Sequence, residues 1–214
     1  MKFLSNIGVY KRGNKFFTKS IVKGFDFFGE ENRGFRELNP TRSKLGAGMA
    51  KGLSQHGIKE GAKVLYLGAS HGYTPSFVSD MVGNSGVVFC LDFAPVVMRD
   101  LIYVCEVRNN MIPIFADANR PDKYREDVIP VDVVFQDVAQ RNQVEIFVKN
   151  CDAFLKENGF GILALKARSF DVTMKPHLVF NIVKKELDAK FNVVDMRDLD
   201  PHEKGHALFV VKKR

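Results

Sequence analysis

From Lys63 onward the apolar residues fall into short blocks, at Val64–Leu67, Val87–Leu91, Ile112–Phe115, Val131–Phe135, Phe160–Leu165, Phe191–Val194 and Ala207–Val211. Continuous apolar runs of this length suit strands buried on both faces of a sheet. Longer amphipathic stretches lie between them, at about 74–82, 95–107, 141–156 and 176–190, with helical length and spacing. The alternation predicts a doubly wound α/β domain with a seven-stranded, mainly parallel sheet, which binds its ligand at the carboxyl ends of the strands. Residues 1–38 differ: they lack helical periodicity and carry Gly8, Gly13, Gly24, Gly29 and Gly34 among Val9–Tyr10, Phe16–Phe17 and Phe25–Asp26–Phe27–Phe28. That pattern predicts a small antiparallel β domain of twisted strands and Gly turns. Pro40 then opens a predicted helix to about Gln55, with Leu45, Met49 and Leu53 on one face. Gly46, Gly48 and Gly52 weaken it, so tertiary packing must hold it. The expected division is a β domain over residues 1–38 and a Rossmann-like domain over 39–214.

Composition narrows the class. Of 214 residues, 45% are hydrophobic and 27% charged, which is ordinary for a globular chain. No apolar run approaches the ~20 residues of a membrane helix, and the start MKFLSNIGVY carries no leader-like apolar segment. The three cysteines, Cys90, Cys105 and Cys151, are odd in number and lack a C-x-x-C pair, which predicts a reducing intracellular compartment without a disulfide framework or zinc site. The net charge of +7 is asymmetric: residues 1–62 hold 12 Lys and Arg against 5 Asp and Glu, and residues 63–214 hold 20 of each. A basic segment on a neutral body reads either as a surface for a polyanion, nucleic acid foremost, or as a solvated basic face.

The chemistry collects at the strand ends. The first strand runs into Gly68-Ala-Ser-His-Gly72-Tyr-Thr74, a Gly-rich turn that lets the backbone approach a ligand at a helix N-terminus. The next strands end in Asp92-Phe93, Asp117-Ala118 and Asp137-Val-Ala-Gln140. One acid at a strand end is usually a helix cap, but a Gly turn followed by three acids along one sheet edge describes a nucleoside-containing cofactor. Asp92 suits the ribose hydroxyls and Asp117 the adenine side. Neither G-x-x-x-x-G-K-[ST] nor G-x-G-x-x-G is present. A cofactor with ribose and adenine but no phosphate fits, and S-adenosylmethionine is that molecule. Lys166 closes the fifth strand, and its head is expected beside Asp137 on the neighbouring strand, a pairing that tunes an amine for general-base use. Gly68-Ala-Ser70-His-Gly72 also matches the G-x-S-x-G elbow, with Asp137 and His206 in hydrolase order. No oxyanion segment accompanies it, and Asp92 and Asp117 would have no role.

Asn39-Pro-Thr-Arg-Ser-Lys-Leu45, Val64-Leu-Tyr-Leu-Gly-Ala69, Phe77-Val-Ser-Asp-Met-Val-Gly83, Ile112-Pro-Ile, Asp137-Val-Ala-Gln140 and Lys166-Ala-Arg-Ser-Phe-Asp-Val-Thr173 together resemble fibrillarin, most closely its archaeal form. The resemblance runs from about Gly24 to near the C-terminus. It implies an S-adenosylmethionine-dependent RNA 2′-O-methyltransferase of the class I fold, acting on rRNA and tRNA inside a box C/D ribonucleoprotein. The implied partners are a guide RNA, a Nop-family scaffold and a kink-turn-binding protein. The implied setting is the cytoplasm of an archaeal-type cell, or the nucleolus of a eukaryote. The family's catalytic set would fall on Lys44, Asp137, Lys166 and His206. Its cofactor contacts would fall on Gly68, Ala69, Tyr73, Thr74, Asp92, Phe93, Asp117, Ala118 and Asp137, Val138, Ala139 and Gln140. Arg42, Lys44 and Arg168 would face RNA. Ser70, His71 and Tyr73 depart from the family turn, Asp92 stands for the commoner Glu, and Gly205 replaces an acid before His206. A second class of reading is a non-catalytic RNA- or scaffold-binding subunit of the same particle. The Phe-rich β segment reads as its own small core or as a self-association surface.

Overall fold

In a computed structural model, which describes residues 1–5, 7–24, 27–31 and 33–214, every one of the seven apolar blocks becomes a strand of one sheet. The strands are β5 (Lys63–Leu67), β6 (Val87–Asp92), β7 (Met111–Phe115), β8 (Val131–Gln136), β9 (Leu155–Lys166), β10 (Asn192–Asp198) and β11 (His206–Lys212). Their order is β10-β11-β9-β8-β5-β6-β7. Five run parallel from β9 to β7, and β11 and β10 are antiparallel to their neighbours. Side-chain alternation sorts the residues into two layers. Val64, Tyr66, Cys90, Phe135, Ala164 and Leu208 face α1 (Lys44–Ala50), α2 (Tyr73–Val82) and α3 (Pro95–Val107). Leu65, Leu67, Leu91, Val134, Leu163, Leu165 and Phe209 face α4 (Gln143–Phe154) and α6 (Pro176–Lys190). The short α5 (Ala167–Phe170) follows β9 directly. Because β5 has β6 on one side and β8 on the other, the chain reverses direction across the sheet there, which opens a crevice at the carboxyl ends of these strands.

Ahead of this sheet, β1 (Lys2–Leu4), β2 (Val9–Arg12), β3 (Lys15–Lys19) and β4 (Phe35–Glu37) form an antiparallel sheet in sequential order. Of the expected Phe25–Phe28 strand, Phe25 and Asp26 lie outside the described residues, and Phe27–Phe28 form a turn. The sheet does not have a core to itself: Ile7, Val9 and Phe16 belong to the same buried cluster as Leu45, Phe77 and Leu208.

A buried charge network also joins the two sheets. Arg36 of β4 is 1% exposed and donates to Glu30 at 2.6 and 2.9 Å and to Asp80 of α2 at 2.8 Å. Arg108 donates to the other Asp80 oxygen at 2.7 Å, and Thr18 Oγ1 donates to Asp80 at 2.8 Å. The Arg36 guanidinium further lies 4.0 Å from the Phe77 ring centre. Part of the basic excess of the N-terminal segment is therefore structural, since Arg36 is not available to a polyanion. Lys15 and Arg33 are likewise paired, with Glu37 and Glu31.

The helix expected from Pro40 to Gln55 is shorter, Lys44–Ala50. Asn39 Oδ1 accepts from the backbone N–H and hydroxyl of Thr41, which makes a side-chain turn of the first residues. Ser43 then caps the helix by accepting from Gly46 N–H, and Gly52, at φ +86°, turns the chain out of it. Gly48 lets α1 approach β11 closely, since a Cβ there would stand 2.6 Å from Leu208 Cδ2.

Candidate functional site

The crevice at the carboxyl ends of β5, β6 and β8 has two lobes. The first, of about 240 Å³, is lined by Gly68, Ser70, Asp92, Phe93, Ala118 and the Asp137–Gln140 segment. The second, of about 500 Å³, is lined by Arg42, Lys44, Tyr66, Ala69, Tyr73 and Thr74 among others. Gly68, Ser70, Asp137 and Ala139 line both. Gly68 shapes the junction: at φ +79° it is left-handed, and a Cβ there would stand 2.5 Å from the Asp137 carbonyl oxygen. Only a residue without a side chain lets the turn after β5 lie against the loop after β8.

In the first lobe the acids hold the walls in place. Asp92 accepts from Ser70 N–H at 2.8 Å and from Ala94 N–H at 3.0 Å, tying the Gly turn to the start of α3. Each carboxylate oxygen keeps a further lone pair for a ligand hydroxyl. Ser70 takes a left-handed φ of +49° to make its bond. Phe93 is 56% exposed at the rim, an aromatic face open for a base to stack on. Asp117 Oδ1 accepts from the backbone and side-chain N–H groups of Asn119, and Asn119 donates to Gln140 Oε1 at 2.9 Å. Asp117 itself lines neither lobe; it braces Gln140 from behind through Asn119, beside the lining residue Ala118. A cavity of this size, with a glycine cradle, a carboxylate and an open aromatic face, fits the adenosine part of S-adenosylmethionine.

The Fibrillarin family model matches residues 4–214 of the chain. The chain belongs to the fibrillarin family. A fibrillarin-like rRNA/tRNA 2′-O-methyltransferase of Pyrococcus furiosus is 47% identical to it over 204 residues, covering 93% of this chain and 90% of that one. The solved fibrillarin/Nop5p complex superposes with a TM-score of 0.90 at 36% identity, covering 100% of both chains. Fibrillarin of Aeropyrum pernix, solved with natively bound S-adenosyl-L-methionine, gives a TM-score of 0.84 at 41% identity, covering 92% of this chain and 88% of that one.

Of the four residues matched to fibrillarin's catalytic set, Asp137 lines both lobes and Lys44 the second, whereas Lys166 and His206 face each other across β9 and β11 and line neither. The expected pairing needs one correction. Asp137 is bound by Lys44, not Lys166: Lys44 Nζ lies 3.0 Å from Asp137 Oδ2. Lys44 reaches it because Ser43 starts α1 directly over the ends of β5 and β8. Lys166 ends β9 with its side chain exposed and makes no ion pair among the described residues. It stands opposite His206 in the β9–β11 register, and alternation from Leu165 and Ala207 puts both side chains on the face that α1 covers. His206 Nδ1 lies 3.0 Å from the Lys204 carbonyl, which can only accept, so Nδ1 carries the proton. Burial, and then the nearby Lys44 ammonium, hold the His206 pKa below its ordinary value, so the ring is neutral at pH 7. With Asp137 on Lys44 and His206 on Lys204, the Ser70–Asp137–His206 relay of a hydrolase is not assembled.

Tyr73 lines the second lobe and not the first. Its ring is edge-on to Phe28 and Phe77 at 5.2 and 5.1 Å, with the Arg42 guanidinium 4.3 Å from its centre. Arg42 also donates to the Phe28 carbonyl at 3.1 Å, and Arg168 is exposed. Thr74 is buried, and its hydroxyl donates to Ser43 Oγ at 3.1 Å, joining α2 to α1. Two polar residues beneath the site carried no signal as candidates. Tyr66 sits fully buried under Asp137, its hydroxyl pKa pushed well above the usual value by burial and by that carboxylate. Gln143 is buried against the backbone of Lys166. Both read in the sequence as ordinary strand and helix positions.

Proposed function

We propose that the chain transfers a methyl group from S-adenosylmethionine to a ribose 2′-hydroxyl of rRNA and tRNA, as the catalytic subunit of a guide-RNA ribonucleoprotein. The 47% identity to an rRNA/tRNA 2′-O-methyltransferase and the natively bound cofactor of the A. pernix fibrillarin support the activity. The fibrillarin/Nop5p structure supports a Nop-family scaffold as partner. Guide RNA and a kink-turn-binding protein complete the particle, because nothing among the site residues reads bases and phosphate contacts alone carry no sequence information. The buried free thiols of Cys90, Cys105 and Cys151 suit a reducing cytoplasm.

The observation that carries this reading is that Asp137 lines both lobes while holding Lys44. An adenosine-sized lobe and a basic lobe therefore meet at one carboxylate. S-adenosylmethionine supplies an activated methyl group there. Gly68, Asp92, Phe93, Ala118 and Gln140 hold its nucleoside. The N-terminus of α2, which has no side-chain cap bond, faces its carboxylate. Lys44, Arg42 and Arg168 steer the RNA backbone. Lys166 would take the 2′-hydroxyl proton as the ribose oxygen bonds to the methyl carbon and the carbon–sulfonium bond breaks, releasing S-adenosylhomocysteine, with neutral His206 beside it.

Calorimetric titration with S-adenosylmethionine, followed by methyl transfer in the reconstituted particle, tests the assignment. Asp92→Ala removes a charged acceptor and lowers affinity about tenfold or more. Lys166→Ala keeps the affinity and abolishes transfer. A Lys166→Ala particle that still methylates removes Lys166 from the reaction, and wild-type affinity in Asp92→Ala removes Asp92 from the cofactor site.

A further inference from the structure

The sheet is one rung too short on one side of Lys166. β8 ends at Gln136, which stands opposite Leu163, whereas β9 continues to Lys166. The backbone groups of Lys166 that face β8 therefore have no strand to bind. Gln143, the first residue of α4, takes that place. Its Oε1 accepts from Lys166 N–H at 3.0 Å, and its Nε2 donates to the Lys166 carbonyl at 3.1 Å. One carboxamide supplies both halves of a ladder rung. The side chain is 0% exposed, and the Gln143 carbonyl accepts from Gln136 Nε2 at 2.6 Å. The Gln143 N–H donates to the Gln140 carbonyl at 3.3 Å, which ties the same residue to the cofactor loop.

We propose that Gln143 is the positioning residue for Lys166: its carboxamide fixes the Lys166 backbone against the Asp137–Gln140 loop, and so sets where the amine meets the ribose hydroxyl. The inference rests on Lys166 being the base. A lysine amine stands about 6 Å from its Cα, so a backbone tilt of about 10° moves it about 1 Å. A misplacement of about 1 Å can cost about a hundredfold in rate. No other side chain among the described residues binds the Lys166 backbone, so the whole constraint on that side passes through one amide.

Gln143→Met keeps the volume and removes both bonds. Gln143→Glu keeps the acceptor for Lys166 N–H and sets a carboxylate oxygen against the Lys166 carbonyl. In particles reconstituted with a guide RNA and a complementary target oligonucleotide, single-turnover methyl transfer at saturating S-adenosylmethionine and target falls about tenfold or more for both variants. The S-adenosylmethionine Kd and the target KM stay within about twofold, because neither lobe loses a lining group. A merely structural role would lower cofactor affinity and rate together. Wild-type rate in either folded variant, with Lys166→Ala inactive, overturns the proposal alone. Turnover in Lys166→Ala overturns the base assignment and the proposal with it.

Discussion

Replacing Gly68 by Ala perturbs the junction of the two lobes with a single methyl group, and its cost separates into two parts. The first is conformational. A residue with a Cβ pays about 1 kcal/mol to hold a left-handed φ such as the +79° found here. The second is steric, because the new Cβ would stand 2.5 Å from the Asp137 carbonyl oxygen, 3.0 Å from its carbon and 3.2 Å from Val138 Cγ2. Two of these are backbone atoms, held in turn by the Asp137 N–H bond to the Leu67 carbonyl at 2.9 Å. They cannot rotate away as a side chain would, and overpacking of this kind costs about 2 kcal/mol. Gly13 provides the control. It lies at φ +59° in the β2–β3 turn with nothing within 4 Å of its would-be Cβ, so Gly13→Ala carries the conformational part alone. For a chain of this size, about 1 kcal/mol corresponds to about 3 °C in Tm. Gly13→Ala should therefore lower Tm by about 3 °C and Gly68→Ala by about 9 °C. Only Gly68→Ala should weaken S-adenosylmethionine binding, as its strain is relieved by moving the Asp137 loop away from Asp92. Scanning calorimetry and a cofactor titration on the two variants measure both effects. Equal Tm losses, or wild-type affinity in Gly68→Ala, would refute the close approach of the two loops.

Asp80→Asn should destabilise the chain by about 3–5 kcal/mol, because it leaves the buried Arg36 and Arg108 guanidinium groups short of an anion. Denaturant unfolding reads the loss, and a change under about 1 kcal/mol would mean that Arg36 and Arg108 do not depend on the Asp80 charge for compensation. His56 is fully buried between the Ile7 carbonyl and the Ile58 N–H, and burial lowers its pKa to about 4. Folding keeps this ring neutral, so its contribution is intact above the ordinary value near 6.5 and is lost as pH falls towards 4. At pH 5 the loss is about 2 kcal/mol, and a folded His56→Asn variant should show that much less acid sensitivity between pH 7 and 5. Identical pH slopes for variant and wild type would mean that His56 is not the group responsible.

The strands were legible because a sheet covered on both faces needs continuous apolar runs, and those are visible one block at a time. The Gly turn and the acids at Asp92, Asp117 and Asp137 were legible for a related reason: parallel topology carries every strand's carboxyl end to one edge, so spacing along the chain becomes adjacency in space. What depended on two distant segments was not legible. Lys44 and Asp137 are 93 positions apart, and strand order alone relates Asp137 only to Lys166 on the neighbouring strand. Arg36 looked like one more charge in a basic segment until Asp80 and Glu30 enclosed it. The start of α1 was misplaced for a local reason. Asn39 turns the chain through its own side chain, which outcompetes the helical start that Pro40 suggests.

The N-terminal sheet belongs mechanically to the cleft. α2 begins at Tyr73, on the floor of the basic lobe, and Ser76 and Asp80 follow one and two turns later on the same face. Arg36 grips both turns, donating to the Ser76 carbonyl and hydroxyl and to the Asp80 carboxylate. Phe28, from the same N-terminal segment, packs on Tyr73 itself and passes its carbonyl to Arg42. The helix whose first residues line the second lobe is therefore clamped along its length by residues outside the Rossmann-like sheet. A helix of 10 residues without a side-chain cap would fray at its first turn in isolation. Here the buried Arg36–Asp80–Arg108 charges hold its middle, the Thr74–Ser43 bond holds its start to α1, and that same α1 delivers Lys44 to Asp137. The cleft wall, Lys44 and the N-terminal sheet are joined through α2, and so the basic segment acts first by placing this helix, and only its exposed residues remain for a polyanion.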